Sequence, residues 1–286
     1  MKVKALALAT GLALMTSHGV QAASTIGFVD LTFGLSKAEN PNDSRDESAG
    51  FGTISGAAAV PVGARGTVVI EGEIRKDTHD GEIVDGEDMK TNGQFGTHYL
   101  HDFSGHKFGA FLAYANADHK GENDHYKTLF GGIEGILNVS SAITLYGQAG
   151  IGNRRDRDQD SAGFNDGKFV RIGAAYSGFA QTLLKLDGEY GKTEVYEDPG
   201  ESGLFWKLSL AGETEIPVVK GLTVTYGVNH GEYNAKGDDD IIRETSYHVG
   251  IRYYFGGATS VTALKSGLIG LPSLPLRSMM WVPGLN

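Results

Sequence analysis

Charged side chains recur at every second position in several stretches of this chain. Glu71, Glu73 and Arg75 form one series, and Lys185, Asp187 and Glu189 another. Asp30, Glu134, Arg171, Lys207 and Arg252 stand alone in equivalent settings, each between apolar or small neighbours. Acids and bases in nearly equal number on one face have two uses. Where the face lines a water-filled passage, they select solutes by size and charge. Where the space is small, they pair with one another and fill it.

Other chemistry finds less support. The histidines after residue 22 (His79, His98, His101, His106, His119, His125, His230 and His248) show no i, i+4 pairing of a metal-binding helix and no local nucleophile motif. Asp156, Asp158 and Asp160 have the spacing that opens a calcium loop, but Ser161 stands where that loop needs Gly and Gly167 where it needs Glu. Together with Asp80, Glu82, Asp85, Glu87, Asp88 and Asp238–Asp240 they read as solvated acidic segments. The glycines follow strand spacing and make no phosphate-binding loop. The expectation is a protein that is not an enzyme, with no cofactor and no resident metal. The net charge of −10 argues against nucleic acid, which wants clustered Lys and Arg.

The charged faces need strands to position them. Between Glu244 and Phe255, Tyr247, Val249, Ile251, Tyr253 and Phe255 alternate with Ser246, His248, Gly250, Arg252 and Tyr254. A period of two means one apolar and one polar face. Twelve such segments are legible, near 25–36, 50–61, 67–77, 92–102, 106–116, 127–139, 143–153, 168–177, 181–191, 203–213, 221–231 and 244–255. Most have about the 9–11 residues that a tilted strand needs to cross a bilayer. The segment at 50–61 is the weakest, because Gly and Ala fill both of its faces. Longer polar connections follow the odd-numbered strands and tight turns the even-numbered ones, the sorting expected when the two ends of a barrel face different compartments. The 42 glycines are about twice the usual share, and many lie inside strands, where only strongly bent or crowded strands tolerate them. Aromatics at Phe33, Tyr114, Phe169, Trp206 and Tyr226 are expected near one rim, and Phe103, Phe108, Phe179 and Phe255 near the other.

At the N-terminus, Lys2 and Lys4 precede a short apolar run from Ala5 to Met15 and the small residues Val20-Gln21-Ala22. This reads as a secretory signal peptide over residues 1–22, since the run is shorter than the roughly 20 residues of a spanning helix. Its loss, with two lysines and no acid, takes the charge from −10 to −12. Cysteine is absent, so an exported domain must be held by something other than disulfides. A closed hydrogen-bonded barrel meets that need.

His248, Gly250, Tyr253 and Phe255 resemble the terminal assembly signal of Gram-negative outer-membrane β-barrel proteins: a polar residue, Gly two on, then aromatics three and five further. With the leader, the amphipathic strands and the sorted connections, the region from Thr25 to Phe255 is similar to the porin-like superfamily of such barrels. The resemblance implies an all-β fold, a single transmembrane antiparallel β-barrel of about 12 strands, with 10 or 14 as alternatives, occupying residues 23–255. It also implies a place in the Gram-negative cell outer membrane, contact with lipid and lipopolysaccharide, and insertion by the barrel-assembly machinery. The leading expectation is a channel for passive diffusion of small hydrophilic solutes or ions. Its constriction is expected among Asp30, Glu71, Glu73, Arg75, Glu134, Arg171, Lys185, Asp187, Glu189, Lys207 and Arg252. The alternative is a closed structural or surface-interaction barrel acting through its acidic loops. Monomer and trimer both stay open.

Residues 256–286 depart from this pattern, since such barrels end at the terminal aromatic. Three readings are open: a periplasmic tail, a plug folded into the lumen, or the product of a shifted reading frame. The expectation is that the segment is not part of the barrel.

Overall fold

The computed structural model describes residues 25–39, 46–79, 92–118, 125–154, 166–194, 202–235 and 241–272. The signal peptide, the acidic clusters at 80–88, 156–160 and 238–240, and the last residues of the tail lie outside the described residues.

Alternating side chains produce twelve antiparallel strands. They are β1 (Ile26–Glu39), β2 (Asp46–Val62), β3 (Gly66–His79), β4 (Asn92–Phe103), β5 (His106–Asp118), β6 (His125–Asn138), β7 (Ile143–Arg154), β8 (Gly167–Phe179), β9 (Thr182–Glu194), β10 (Ser202–Glu215), β11 (Leu222–Ala235) and β12 (Ile241–Phe255). Each strand pairs with its sequence neighbours, and β1 pairs with β12 to close the barrel. Closure leaves no free edge, so every strand's backbone groups have a partner within the wall. All twelve expected strands are present. Most run further toward the long connections than the sequence suggests, because paired polar residues extend the ladder beyond the apolar band.

One face of each strand is apolar and points outward. Val29, Leu31, Phe33 and Leu35 on β1, Leu204, Trp206, Leu208 and Leu210 on β10, and Tyr247, Val249, Ile251 and Tyr253 on β12 are all exposed. So are Ile133, Ile151 and Ile172. A monomeric protein in water rarely shows so continuous an apolar surface, whereas lipid covers it. The expected rim aromatics Phe103, Phe108 and Phe179 are exposed near the short turns. Two others are corrected. Phe169 is buried and faces inward, because it shares the parity of Arg171 and Gly173 on β8. Tyr226 is exposed but lies near the short-turn end, opposite Gly212.

The tight turns have the backbone that hairpins demand. Ser104 and Gly105 between β4 and β5 have φ of 56° and 90°. This right-handed twist matches that of the flanking strands. Asp102 Oδ1 accepts from the Gly105 N–H at 2.9 Å.

The barrel is not empty. After β12 the chain turns sharply at Gly256 and Gly257, with φ of 72° and 77°. A Cβ at Gly256 would also strike the backbone of Thr25 and Ile26. The helix α1 (Ser260–Ser266) follows, capped by reciprocal bonds between Thr259 and Thr262. It ends at Gly267 with φ of 117°, where a Cβ would meet Leu100. Ala263, Leu264, Leu268 and Ile269 are buried against Val69, Leu100, Ile136, Ala175 and Leu183. Those wall residues are on the inward faces of their strands, at the short-turn end. The segment after Phe255 adds no strand to the wall, and through Pro272 it packs inside, the second of the three readings. The physical reason is a ring of apolar inward side chains that water would not satisfy.

Candidate functional site

The inward faces converge on a cavity of about 340 Å³. Asp30, Glu71, Glu73, Arg75, Arg171, Lys185, Asp187, Glu189, Lys207 and Arg252 line it, as do Glu213 and Glu244. Of the residues singled out in the sequence, Glu134 lies apart, buried behind the lining. Register explains how strands distant in sequence place these groups together. Across the ladder, Glu134, Gln148, Arg171, Glu189 and Lys207 stand directly opposite one another on β6 to β10. On the other wall, Arg252, Asp30, Ser55, Glu73 and Gln94 form a second row across β12 and β1 to β4. Opposite charges thus stand side by side in both rows, Arg171, Glu189 and Lys207 in one and Arg252 and Asp30 in the other.

Two arginines organise these rows. The Arg252 guanidinium donates through Nε to Asp30 Oδ2 at 3.0 Å and through Nη1 to Glu213 Oε1 at 2.9 Å. It also lies over the Phe28 ring, 4.2 Å from its centre. Lys185 Nζ donates to the same Glu213 oxygen at 2.6 Å, and the Tyr254 hydroxyl donates to the other. Asp30 accepts a further bond from Thr32 at 2.6 Å. Arg171 pairs with Asp187 through Nε and Nη2, and lies 3.7 Å from Glu189. Tyr146 donates to Asp187 at 3.0 Å. Charges this deep need partners with good geometry, and Arg252, Asp30, Glu213, Arg171 and Asp187 each have more than one.

A third cluster was not foreseen. His98 is fully buried. Its Nδ1 is 2.9 Å from Glu134 and its Nε2 3.0 Å from Glu71. The ring stacks beside Phe111. Two ring nitrogens facing carboxylates complete both bonds when the ring carries both protons. The inward parity of Asn92, Gln94 and His98 on β4 was a usable signal for its direction. That it meets Glu134 was not legible, since β4 and β6 are not neighbours. Glu213, Tyr146 and Tyr254 were missed for the same reason, and Gln148, which bonds Glu134 and Arg171 on the adjacent strands, because it carries no charge. Phe111, Phe130, Phe169, Phe205 and Tyr233 form an aromatic cluster with Leu271 on the inward faces.

The terminal-strand residues divide by face. His248 and Gly250 look inward, Tyr253 is exposed outward, and Phe255 is half-buried where β12 ends. A Cβ at Gly250 would meet the hydroxyls of Thr32 and Thr225 at 2.5 and 2.6 Å. Gly250 thus has a packing role in the wall.

The tail forms part of the cavity's lining. The Gly270 carbonyl accepts from Arg171 Nη1 at 3.0 Å and from Gln148 Nε2 at 3.2 Å. Leu271 O is 3.4 Å from the same guanidinium nitrogen. Lower down, Lys107 Nζ reaches Ser266 O at 3.5 Å, and Lys265 Nζ reaches Ser141 O at 3.1 Å. The arrangement offers a charged, partly water-accessible chamber above an apolar floor. Among the described residues, no group of three His, Asp or Glu side chains is placed to hold a metal ion.

Comparison with solved structures identifies the fold. The outer membrane channel from Pseudomonas putida F1 aligns at a TM-score of 0.60 and 8% identity, over 83% of this chain and 97% of that one. The translocator domain of the autotransporter NalP from Neisseria meningitidis aligns at 0.44 and 12%, over 88% and 97%. A KdgM porin aligns at 0.42 and 11%, over 78% and 98%. No family model matches the chain, and no curated protein matches it. At these identities the likeness is one of fold: a closed outer-membrane type of β-barrel.

Proposed function

We propose that this protein is an outer-membrane channel through which small hydrophilic solutes or ions diffuse passively. The observation that carries the reading is the charged cavity of about 340 Å³ inside a closed wall with an apolar exterior. Hydrophilic solutes would find hydrogen-bond partners along it, with selectivity set by Asp30, Glu73, Arg75, Arg171, Lys185, Lys207 and Arg252. No step of catalysis is assigned. The protein would be exported by its leader, inserted by the barrel-assembly machinery and bounded by lipid and lipopolysaccharide.

The test is ion conductance of the purified protein in a planar bilayer, after heat-modifiable gel mobility has established a folded barrel. Discrete current steps are expected. Their absence, both from the full chain and from a chain ending at Phe255, would sink the channel reading. It would favour the second one, a closed barrel acting through its loops. That second reading draws on a specific observation as well: paired charges and the docked tail fill much of the lumen.

A further inference from the structure

The tail is held differently from every other element. It makes no ladder with the wall; beyond the bond from the Ala258 N–H to the Phe255 carbonyl, it is held among the described residues by side-chain bonds from Lys107, Gln148 and Arg171 and by its own Lys265 to the Ser141 carbonyl in a turn. The remaining contact is apolar, through Ala263, Leu264, Leu268 and Ile269. The segment is joined to β12 by two consecutive left-handed glycines, and Gly257 is exposed, with open space where a Cβ would stand. At its tip, Leu271 sits where Gly96 on β4 leaves room, since a Cβ at Gly96 would lie 2.8 Å from both Leu271 δ-carbons.

The wall is shaped for this occupant. Lumen-facing positions of a water-filled channel are polar. Here the inward positions near the short turns include the apolar Ala57, Ala59, Val69, Leu100, Ile136, Ala175 and Leu183. They form an apolar seat near the short turns, below a charged chamber. An apolar seat and a polar tip contact, both matched by one segment on a glycine hinge, describe a tethered stopper.

We propose that residues 256–272 are a built-in gate: docked, they close the short-turn end of the lumen, and by swinging about Gly256–Gly257 they open it. The proposal rests on the channel reading above. Docking is favoured by apolar burial and by the Arg171 and Gln148 bonds to Gly270, so the closed arrangement dominates and openings are the minor state. No covalent change and no ladder rupture are needed for the segment to leave, since the wall closes without it.

The chain has no cysteine, so an introduced pair has no competitor. Gly96→Cys with Leu271→Cys would tie the tip to β4 in the folded, full-length protein. Bilayer currents would be read from this variant oxidised and then reduced, beside the wild type and a chain ending at Phe255. Oxidation is expected to lower the mean current at least about tenfold, reductant to restore it, and the truncated chain to conduct at least as well as the reduced variant. Equal currents from the oxidised and reduced variant, whatever the truncation does, overturn the gate and make the segment a fixed filler. No discrete steps from any of the four preparations overturn the channel reading, and the gate with it. The redox comparison stands even if the truncated chain does not fold.

Discussion

At the scale of single residues, the lumen shows how charge can be kept inside a wall. Arg252 joins β1, β10 and β12 through Asp30 and Glu213, and Lys185 and Tyr254 complete the Glu213 carboxylate. Replacing Arg252 by Met leaves Asp30 bonded to Thr32 without its cation and removes one of two cations from Glu213. A buried carboxylate that loses its cation costs about 3 kcal/mol. Arg252→Met should therefore lower the urea midpoint of folding into lipid vesicles by a shift of that order. Adding Asp30→Asn to the same chain should recover part of the loss, because it removes the orphaned charge. If the single variant unfolds at the wild-type midpoint, the pairing contributes nothing to stability.

Individual elements answer to two solvents at once. On β8, Ile172 is exposed on the outer face, between the inward Arg171 and Gly173. Ile172→Lys places a charge against lipid near mid-strand and should cost about 2–4 kcal/mol. Ser209→Lys on β10, which points into the cavity, should cost far less. The same vesicle titration checks both, and equal effects would contradict the assigned faces. The connection after β12 carries a different constraint. At Gly256, φ of 72° and the nearby Thr25 carbonyl leave no room for a Cβ. An L side chain in that conformation costs about 1–2 kcal/mol. Gly256→Ala should loosen the docked tail, read as faster proteolysis after Phe255 while the barrel keeps its heat-modifiable mobility. Unchanged proteolysis would mean that the turn does not control docking.

For the whole molecule, closure between β1 and β12 decides what the interior can be. Twelve strands enclose more than side chains alone fill and less than a wide aqueous pore. Ion pairs, an aromatic cluster and the tail share that volume with a cavity of about 340 Å³. Carboxylates outnumber fixed cations in the lining: Asp30, Glu71, Glu73, Asp187, Glu189, Glu213 and Glu244 face Arg75, Arg171, Lys185, Lys207 and Arg252. The excess of negative charge should draw cations into the lumen at low salt. The chain ending at Phe255, in a bilayer with a potassium chloride gradient, should give a reversal potential that favours cations. A reversal potential favouring anions would contradict this account of the cavity.

The strands were legible because lipid and water act on alternate residues. A period of two with apolar residues on one face appears in the sequence without knowledge of any contact. It placed the eleven charged candidates at inward positions and Tyr253 on the outer face. Val69, Leu100, Ile136 and Leu183 carried a further signal, apolar residues on inward faces near the short turns, which implies an apolar occupant. The sequence alone does not say which segment that is. Nor does it reveal that His98 joins Glu71 to Glu134, or that Arg171 meets Gly270. His98 reaches Glu71 diagonally on the adjacent β3, but its contact with Glu134 spans strands that are not neighbours, and the Arg171 contact runs between the wall and the tail. Parity along a strand determines which side a residue faces. Only the closed barrel, with its register and radius, decides which inward groups come within hydrogen-bonding distance.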